Sequence, residues 1–226
     1  CKLLDEGFGT PAEIDNVAKD CFDIGMGPFE LMNLTGPSIA LHSTDYLASQ
    51  LQVDRYKGAD SLRRLVEEGI QWDLAGVSGE FSSKDRKEIR NRLLGVVLCI
   101  ASQIVEEEIC AMEDVDRGAK VGLRWPMGPF ELANDLGVDV AHGIASDYAV
   151  LAGFESPIIL STQGSEPFEF KLIDLEVTNG VASITFNRPE AMNALNEEVI
   201  SQLTDLWKGL EADPSVHTAI LRGSGT

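Results

Sequence analysis

Few side chains in this sequence have the types and the spacing that catalysis or metal binding requires. Its three histidines are isolated from one another, at His42, His142 and His217. No C-x-x-C pair and no histidine cluster accompanies the four cysteines, which are Cys1, Cys21, Cys99 and Cys110. A zinc site needs several such ligands close together. We therefore predict no metal site and name no catalytic residue in the chain.

One glycine-rich segment imitates a nucleotide-binding motif. Gly7-Phe8-Gly9-Thr10-Pro11-Ala12 fits the pattern G-x-G-x-x-A. The genuine dinucleotide-binding motif follows a β-strand, whereas residues 1–6 have the pattern of a helix. We therefore interpret the two glycines as a turn between helices rather than as a binding site for NAD.

A six-residue segment that occurs twice is the most informative pattern in the chain. Met26-Gly27-Pro28-Phe29-Glu30-Leu31 returns 101 positions later as Met127-Gly128-Pro129-Phe130-Glu131-Leu132. The similarity extends outward, since Ile14-Asp15, Ala18-Lys19 and Gly36 correspond to Val115-Asp116, Ala119-Lys120 and Gly137. One helical unit is therefore present in two copies.

Structural requirements can account for the repeated segment. Gly27 permits a close approach or a positive φ angle, and Pro28 suits the first turn of a helix. Glu30 then lies where its charge complements the helix dipole. We favour a packing role for this segment in both copies.

The composition excludes several classes of function. The 226 residues include 18 Lys and Arg against 37 Asp and Glu, which gives a net charge of −19. Such an acidic surface repels nucleic acid and anionic membranes, so we expect neither as a partner. No apolar run reaches the length of a membrane span, and we expect free thiols in a reducing cytosol. We therefore expect a cytoplasmic protein.

Residue patterns predict a mainly helical region followed by a different domain. A capping box, Thr10-Pro11-Ala12-Glu13, starts one helix. Further helices are predicted at residues 28–34, 39–51, 60–68, 84–110, 115–121 and 138–151. After a linker, strands at 168–177 and 181–186 flank Asn179-Gly180, a strong hairpin signal. A helix at 196–212 and a strand at 217–221 complete a β-β-α-β order.

The helical region resembles the C-terminal domain of 3-hydroxyacyl-CoA dehydrogenases, present in two copies. The first copy carries this resemblance at residues 9–15 and 25–31. The second carries it in Asn91-Arg92-Leu93-Leu94 and at residues 125–132. The resemblance implies that in members with two copies the second stands in for the helical domain of a partner subunit, so we favour a packing role for Asn91 over a catalytic one.

Residues 168–226 resemble the start of the enoyl-CoA hydratase (crotonase) superfamily. The resemblance lies in residues 180–189, which end in Asn187-Arg188-Pro189, and in Ala191-Met192-Asn193-Ala194-Leu195-Asn196. It implies that Ala191, Met192 and Ala194 lie near bound coenzyme A; a plain turn before a helix is the alternative. Glu190 stands where the hydratases often have Lys, which puts a phosphate contact there in doubt.

The two resemblances together imply a fusion enzyme of fatty-acid β-oxidation. Such an enzyme hydrates a trans-2-enoyl-CoA and oxidises the resulting 3-hydroxyacyl-CoA with NAD. The family's catalytic His–Glu pair and NAD site belong to a Rossmann domain ahead of Cys1, and the hydratase's oxyanion donors and glutamates lie beyond Thr226. We therefore expect a fragment of a bifunctional enzyme that is inactive alone.

The expected organisation has four parts. They are helical repeat 1 at residues 1–78, repeat 2 at 79–155, a linker at 156–167 and a truncated crotonase start at 168–226. Repeat 1 should pack on repeat 2; the residues that we assign to a cleft or to this packing are Met26, Gly27, Pro28, Asn91, Met127, Gly128 and Pro129. Copies of the chain could also associate through the crotonase domain. The alternative function is a non-catalytic helical association module that carries a crotonase domain of another activity, such as isomerisation or thioester hydrolysis.

Overall fold

The computed structural model describes residues 1–76, 81–153 and 155–225. They form two compact units, Cys1–Phe168 and Glu169–Thr226. The first unit is helical and the second contains a three-stranded sheet. The prediction of a mainly α region followed by an α/β start is confirmed. The boundary expected between residues 78 and 79 lies outside the described residues.

Ten α-helices occur in the described part of the first unit. They are α1 Lys2–Asp5, α2 Pro11–Phe22, α3 Pro28–Thr35, α4 Pro37–Leu51, α5 Asp60–Glu68, α6 Ser83–Glu106, α7 Met112–Gly122, α8 Pro129–Leu136, α9 Val138–Ala152 and α10 Ile158–Gln163. A 3-10 turn, Asp54–Tyr56, precedes α5. The predicted capping box is present at the start of α2, where the Thr10 N–H donates to the Glu13 carboxylate at 2.7 Å and the Glu13 N–H donates to the Thr10 hydroxyl at 3.3 Å.

These helices repeat as a set of five. Helices α1–α5 correspond in order to α6–α10, and equivalent pairs pack together in each set: the second helix on the third, and the fourth on the fifth. The four residues of α1 correspond to the last turn of α6, which lies 101 positions later. The duplication inferred from the sequence is therefore a duplication of the fold.

The two sets of helices pack on each other. Helix α2 of the first set lies against α6 of the second. The Arg92 guanidinium pairs with Glu6 at 2.9 Å, and the rings of Phe22 and Trp125 stack with centroids 4.6 Å apart. The expectation that repeat 1 packs on repeat 2 is met within one compact unit.

Helix α6 lies at the centre of the first unit. It crosses α9 so closely at Gly95 that a Cβ atom there would lie 2.4 Å from the Cβ of Tyr148. Its Ile89 also joins a core cluster with residues of the first set: Leu3, Ile14, Val17, Phe29, Leu62, Leu65 and Trp72. The helix predicted for residues 84–110 ends early, at Glu106, because Glu108 takes a positive φ angle of 55°.

The structure contains a helix where the sequence suggested a linker. Within residues 156–167, α10 packs on α6 and α9 and buries Leu160. The Glu106 carboxylate accepts the N–H of Ile159 at 2.8 Å, near the start of α10. The following strand was predicted to begin at residue 168, but Phe168 belongs to the helical unit, where its ring meets Phe130 edge to face at 5.2 Å.

The second unit has the predicted β-β-α-β order. Its elements are β1 Ile173–Thr178, β2 Val181–Phe186, α11 Glu197–Ala212 and β3 Thr218–Gly223. Strand β1 pairs antiparallel with β2, and β2 pairs parallel with β3. The two turn residues between β1 and β2, Asn179 and Gly180, both take positive φ angles, as a type I′ hairpin turn requires.

One face of this small sheet packs on α11. Ile173, Ile184 and Val199 form its buried centre. The Gln202 side chain ties the chain ahead of β1 to α11, since it accepts the N–H of Leu172 at 2.9 Å and donates to the Phe170 carbonyl at 2.6 Å. Asn196 caps α11 by accepting the N–H of Val199 at 3.0 Å.

Neither a membrane-spanning helix nor a disulfide is found among the described residues. No helix there combines the length and the apolar composition that a bilayer crossing needs. All four cysteines are free thiols, and only Cys99 is fully buried.

Candidate functional site

Each copy of the repeated segment is held by a buried aspartate from the preceding helix. The carboxylate of Asp15 accepts the N–H groups of Phe29 and Glu30, each at 2.8 Å. Asp116 accepts the equivalent pair at the start of α8, at 2.8 and 2.9 Å. The first N–H groups of a helix have no acceptor inside the helix. Each aspartate therefore supplies the acceptors that the first turn of α3 or α8 lacks.

The glycine of each segment makes room for this aspartate. A Cβ atom at Gly27 would lie 2.3 Å from Cγ of Asp15, and one at Gly128 would lie 2.2 Å from Cγ of Asp116. Both glycines have φ angles of −78°. Of the two reasons that the sequence offered for a glycine, close approach therefore applies and positive φ does not.

A lysine engages the remaining carboxylate of each segment. The Lys19 ammonium contacts Glu30 at 2.7 Å, and the Lys120 ammonium contacts Glu131 at 2.6 Å. Glu131 also accepts the N–H of Gly128 at 2.9 Å. The acidic groups of the repeated turns are thus committed to backbone N–H groups and to lysines, an arrangement suited to holding helices rather than to moving protons.

Burial changes the acidity of the two capping aspartates. Burial raises the pKa of Asp116 to about 6, against the lowering effect of the N–H groups of Phe130 and Glu131. Burial also raises the pKa of Asp15. Each carboxyl therefore holds its proton more firmly in the folded protein than in the unfolded chain.

An asparagine in each set fastens the end of the set to the repeated helix, a feature that the sequence reasoning missed. Asn33 accepts the N–H of Trp72 and donates to its carbonyl, both at 2.9 Å. Asn134 does the same with Phe168, at 2.7 and 2.9 Å. Trp72 lies edge to face on Phe29 as Phe168 does on Phe130. The signal was available, because the two asparagines are 101 positions apart.

The other predicted residues of this region lie in three places. Pro28 and Pro129 occupy the first turns of α3 and α8. Met26 is more exposed than its equivalent Met127. Asn91 is half-buried on α6, one residue before Arg92, which pairs with Glu6 across the repeats. The structure brings the members of each turn together but leaves Asn91 on a separate helix.

The Gly7-Phe8-Gly9 segment does not fit a dinucleotide. It follows helix α1 rather than a strand. The N-terminus of α2 after it is occupied by the Glu13 carboxylate, which accepts the Thr10 N–H. A pyrophosphate needs that position free of negative charge, so the interpretation as an inter-helix turn agrees with the geometry.

The second unit positions Ala191, Met192 and Ala194 in one tight turn after β2. Asn193 organises this turn: its side-chain oxygen accepts the N–H of Arg188 at 2.9 Å, and its amide donates to the Ser224 carbonyl at 2.8 Å. The Arg188 guanidinium closes the turn on the Ala194 carbonyl at 3.0 Å. The turn is thereby fixed beside the end of β3.

The backbone of this turn is specialised. Met192 and Asn193 take left-handed φ angles of 53° and 54°, and the Met192 side chain is 91% exposed. The left-handed conformation is disfavoured for Met and tolerated by Asn. Residues held in such disfavoured conformations cluster at functional sites. The N–H groups of Ala191, Met192 and Ala194 donate to carbonyls within the turn, which leaves carbonyl oxygens as the groups with capacity for a ligand.

Metal-binding clusters are absent from the described residues, where no three His, Cys, Asp or Glu side chains lie close enough to share an ion. The duplicated helical body and the β-β-α-β unit with its fixed turn define the class: a helical repeat module joined to a small α/β unit. The family model for the 3-hydroxyacyl-CoA dehydrogenase C-terminal domain matches residues 1–72 and 89–163. These segments cover more than half of the chain, which therefore belongs to that family.

The last residues match a second family. The model for enoyl-CoA hydratase/isomerase covers residues 176–226. The (E)-benzylidenesuccinyl-CoA hydratase of Thauera aromatica is 47% identical over 53 residues, which are 24% of this chain and 21% of that protein. The 1,2-epoxyphenylacetyl-CoA isomerase of Escherichia coli is 39% identical over 49 residues, or 22% of this chain and 19% of that protein.

A third relative is a dehydrogenase. A probable 3-hydroxyacyl-CoA dehydrogenase of Caenorhabditis elegans is 40% identical over 76 residues, which are 31% of this chain and 26% of that protein. The chain thus spans about a quarter or less of the length of these relatives. No solved structure is similar enough to count as a match.

Proposed function

We propose that this chain is part of a bifunctional β-oxidation enzyme that combines an NAD-dependent 3-hydroxyacyl-CoA dehydrogenase with an enoyl-CoA hydratase. One observation carries the proposal: a duplicated dehydrogenase-type helical module and a hydratase-type β-β-α-β start occur in one polypeptide. The two reactions are consecutive, because hydration creates the hydroxyl group that the dehydrogenase oxidises. A cytoplasmic location is part of the same proposal.

In this proposal the helical module supports catalysis without performing it. The carboxylates that recur in its two copies already bind backbone N–H groups and lysines. NAD does not fit the Gly7–Gly9 turn, so the dinucleotide site and the base belong to a Rossmann domain elsewhere in the longer polypeptide. The helices then serve to hold that domain and to pair the two repeats.

The turn of the second unit is the proposed contact with coenzyme A. Adenine and pantetheine present N–H donors. The N–H groups of Ala191, Met192 and Ala194 are already used, whereas a carbonyl oxygen can accept two hydrogen bonds, so the carbonyl oxygens of the turn are the proposed acceptors. Glu190 is exposed beside them, so the acyl-CoA phosphates are expected to lie away from this position. Coenzyme A binds here as the carrier part of the substrate.

Activity measurements test this division of labour. Purified 1–226 with NAD⁺ and 3-hydroxybutyryl-CoA should give no reduction of NAD⁺, and with crotonyl-CoA no hydration. A longer polypeptide that contains this sequence should catalyse both reactions. Turnover by 1–226, or failure of the longer polypeptide in either reaction, would contradict the proposal.

Calorimetric titration with coenzyme A tests the turn itself. Replacing Asn193 by Ala removes the side chain that fixes the turn, so it should weaken binding. Ser215→Ala is the matched control, because it removes a side-chain hydrogen bond from the turn before β3 instead. If both variants bound coenzyme A with equal affinity, the turn would not be part of the coenzyme A site.

The second candidate is a helical association module joined to a crotonase domain of different activity. Its support is the variety of printed activities among relatives of the last residues, which include an isomerase and a probable 3-hydroxyisobutyryl-CoA hydrolase of Arabidopsis thaliana. Isomerase or hydrolase turnover by the longer polypeptide, without hydration, would favour it.

A further inference from the structure

One face of α4 carries large side chains that the helical unit leaves exposed. Ile39, His42 and Tyr46 follow one another at spacings of three and four residues, so they share one side of the helix. The ring centroids of His42 and Tyr46 are 6.4 Å apart. Ile39 is 60% exposed and Tyr46 is 57% exposed. We call these three residues the outer face of α4.

Another side of α4 packs on α5 and the turn before it. A Cβ atom at Gly58 would lie 2.5 Å from Cδ1 of Leu41 and 3.2 Å from the carboxylate of Asp45. Two N–H groups of the Arg63 guanidinium donate to this carboxylate, at 2.9 and 3.0 Å. Asp45 is the single carboxylate of α4, which contains no Lys or Arg. The outer face therefore lies outside this contact and holds no carboxylate, Lys or Arg.

The second repeat shows that the exposure of this face does not arise from the shortness of α1. Helix α9 corresponds to α4 and packs on the long helix α6. The residues equivalent to the outer face are nevertheless exposed there: Val140, Gly143 and Asp147. The side chains that α9 buries lie at other positions of the helix, namely Val138, Ala141, Ile144, Ala145 and Ala149. Exposure is thus a property of the outer positions themselves.

The two repeats have different kinds of residue at these exposed positions. Tyr46 corresponds to Asp147, and Leu34, at the end of α3, corresponds to Asp135. Leu34 is 72% exposed, and both aspartates are exposed. Because Asp fits the same positions of the second repeat, the fold of a repeat does not require Leu34 or Tyr46. Exposed apolar and aromatic residues without a packing role are typical of an interaction surface.

Charge favours a second molecule of this chain as the partner. The chain has a net charge of −19, and a basic partner would be selected by carboxylates at the contact. The outer face has none. A two-fold axis brings identical patches together, so charged patches would repel each other there. An uncharged face on an acidic chain is where two molecules can meet with the least repulsion.

We propose that the outer face of α4 pairs with the same face of a second molecule across a two-fold axis. The two helices run antiparallel, with Ile39 of one molecule opposite Tyr46 of the other and the axis beside His42. Helix α4 has 15 residues, so the contact is a small one, in the class that buries less than about 1,200 Å² and associates transiently. The dimer therefore forms reversibly, with a dissociation constant in the micromolar range.

Analytical ultracentrifugation of 1–226 across micromolar concentrations measures the pairing. The unmodified chain should show a reversible equilibrium of monomer and dimer. Tyr46→Asp introduces the residue of the second repeat and should raise the dissociation constant about a hundredfold or more, because the contact then brings like charges together. Val150→Asp is the matched control: Val150 is 88% exposed on α9, outside the proposed contact, so the same kind of change should leave the dissociation constant unaltered.

Disulfide crosslinking locates the axis, and it also decides the case in which Tyr46→Asp does not fold. Oxidised glutathione accepts the two electrons as two thiols join. His42→Cys lies beside the axis and should give a covalent dimer. Ser49→Cys lies two turns further along α4 and should not, since a disulfide requires Cα atoms within about 7 Å of each other. The unmodified chain, with its four free thiols, gives the background.

Three results would overturn the proposal. The first is a monomer at every concentration, which would leave the face to a different protein. The second is a dimer that Tyr46→Asp leaves intact, which would place the contact elsewhere, for example on the second unit. The third is equal crosslinking of His42→Cys and Ser49→Cys. None of these measurements needs turnover, so their failure is distinct from a failure of the proposed activities.

Discussion

The two repeats share their internal fastenings and differ in their surroundings. Each has a capping aspartate, a close glycine and an asparagine that holds the end of the set. Yet Leu31 of α3 is 49% exposed, whereas its equivalent Leu132 of α8 is 4% exposed. Helix α6 packs on α8, whereas its four-residue counterpart α1 packs on α5.

The comparison separates what a repeat needs for itself from what its neighbours decide. Hydrogen bonds to the first turn of a helix have strict geometry, so the residues that make them are the same in both copies. Apolar cover has no such geometry. Phe22 and Leu123 can therefore differ: Phe22 is 8% exposed and stacks on Trp125, whereas Leu123 is 62% exposed. The shared polar residues are therefore structural, since they make the same contacts in two different surroundings.

The largest expected effect comes from filling the space beside a capping aspartate. Gly128→Ala places a Cβ 2.4 Å from the backbone Cα of Asp116, which cannot move aside, so unfolding free energy should fall by about 3 kcal/mol. Gly27→Ala should cost slightly less, because its closest contacts are side-chain atoms of Asp15. Urea denaturation measures both.

A glycine with open space around it provides the control. No atom lies within 4 Å of a Cβ at Gly118, in the interior of α7, so Gly118→Ala should stabilise the helix by up to about 1 kcal/mol. If Gly128→Ala were as benign as Gly118→Ala, the close approach of Asp116 would not be what the glycine serves.

Removal of the capping carboxylates should have the next largest effect. Asp116→Ala leaves the N–H groups of Phe130 and Glu131 without their acceptor, a loss of about 2 kcal/mol in unfolding free energy. Asp15→Ala should lose a similar amount at α3, because its hydrogen bonds differ in length from those of Asp116 by at most 0.1 Å. If only one of the two variants lost stability, the same hydrogen-bond geometry would contribute unequally to the unfolding free energy in the two repeats.

A smaller, pH-dependent difference in unfolding free energy should separate the unmodified chain from Asp116→Asn. Burial raises the pKa of Asp116 to about 6, above the ordinary value of about 3.9 for the unfolded chain. Folding then takes up a proton between these values, so the stability that this group contributes is fully present below pH 4 and is lost as pH rises through 6. Relative to Asp116→Asn, the unmodified chain should weaken over that range in denaturant titrations. If instead the unmodified chain became more stable relative to Asp116→Asn as pH rises, the N–H donors would outweigh burial in setting the pKa of Asp116.

The sequence predicted the helices with strong local signals and missed those formed by long-range contact. Asp60–Glu68 and Val181–Phe186 have the predicted bounds, because periodicity and the Asn-Gly turn determine them locally. Helix α10 was missed because it has only six residues, 158–163, and they lie among linker-like residues. It is held by its packing on α6 and α9, which no local pattern reveals.

The candidate sites divide in the same way. The repeat located Gly27 and Gly128, and close approach was one of the two roles that the sequence offered for Gly27. That Asp15 and Asp116 are the residues that approach depends on how two helices meet. The turn at Ala191–Ala194 was located by resemblance, but the use of its N–H groups within the turn is a matter of backbone geometry. Which backbone groups of the turn remain for a ligand is therefore decided by the fold and not by residue identity.

The asparagines should give the smallest effect, and a local one. Asn134→Ala removes the acceptor of the Phe168 N–H and a donor to its carbonyl, which should open the end of the second set by about 1 kcal/mol without unfolding the unit. Hydrogen exchange at Phe168 should then be several-fold faster, while the amides of α6 keep their protection. Asn33→Ala should do the same at Trp72. Asn134→Asp keeps the acceptor, so its exchange rate at Phe168 should lie between those of the unmodified chain and Asn134→Ala. Unchanged exchange at Phe168 in Asn134→Ala would show that the packing of Phe168 on Phe130 alone holds the end of the repeat.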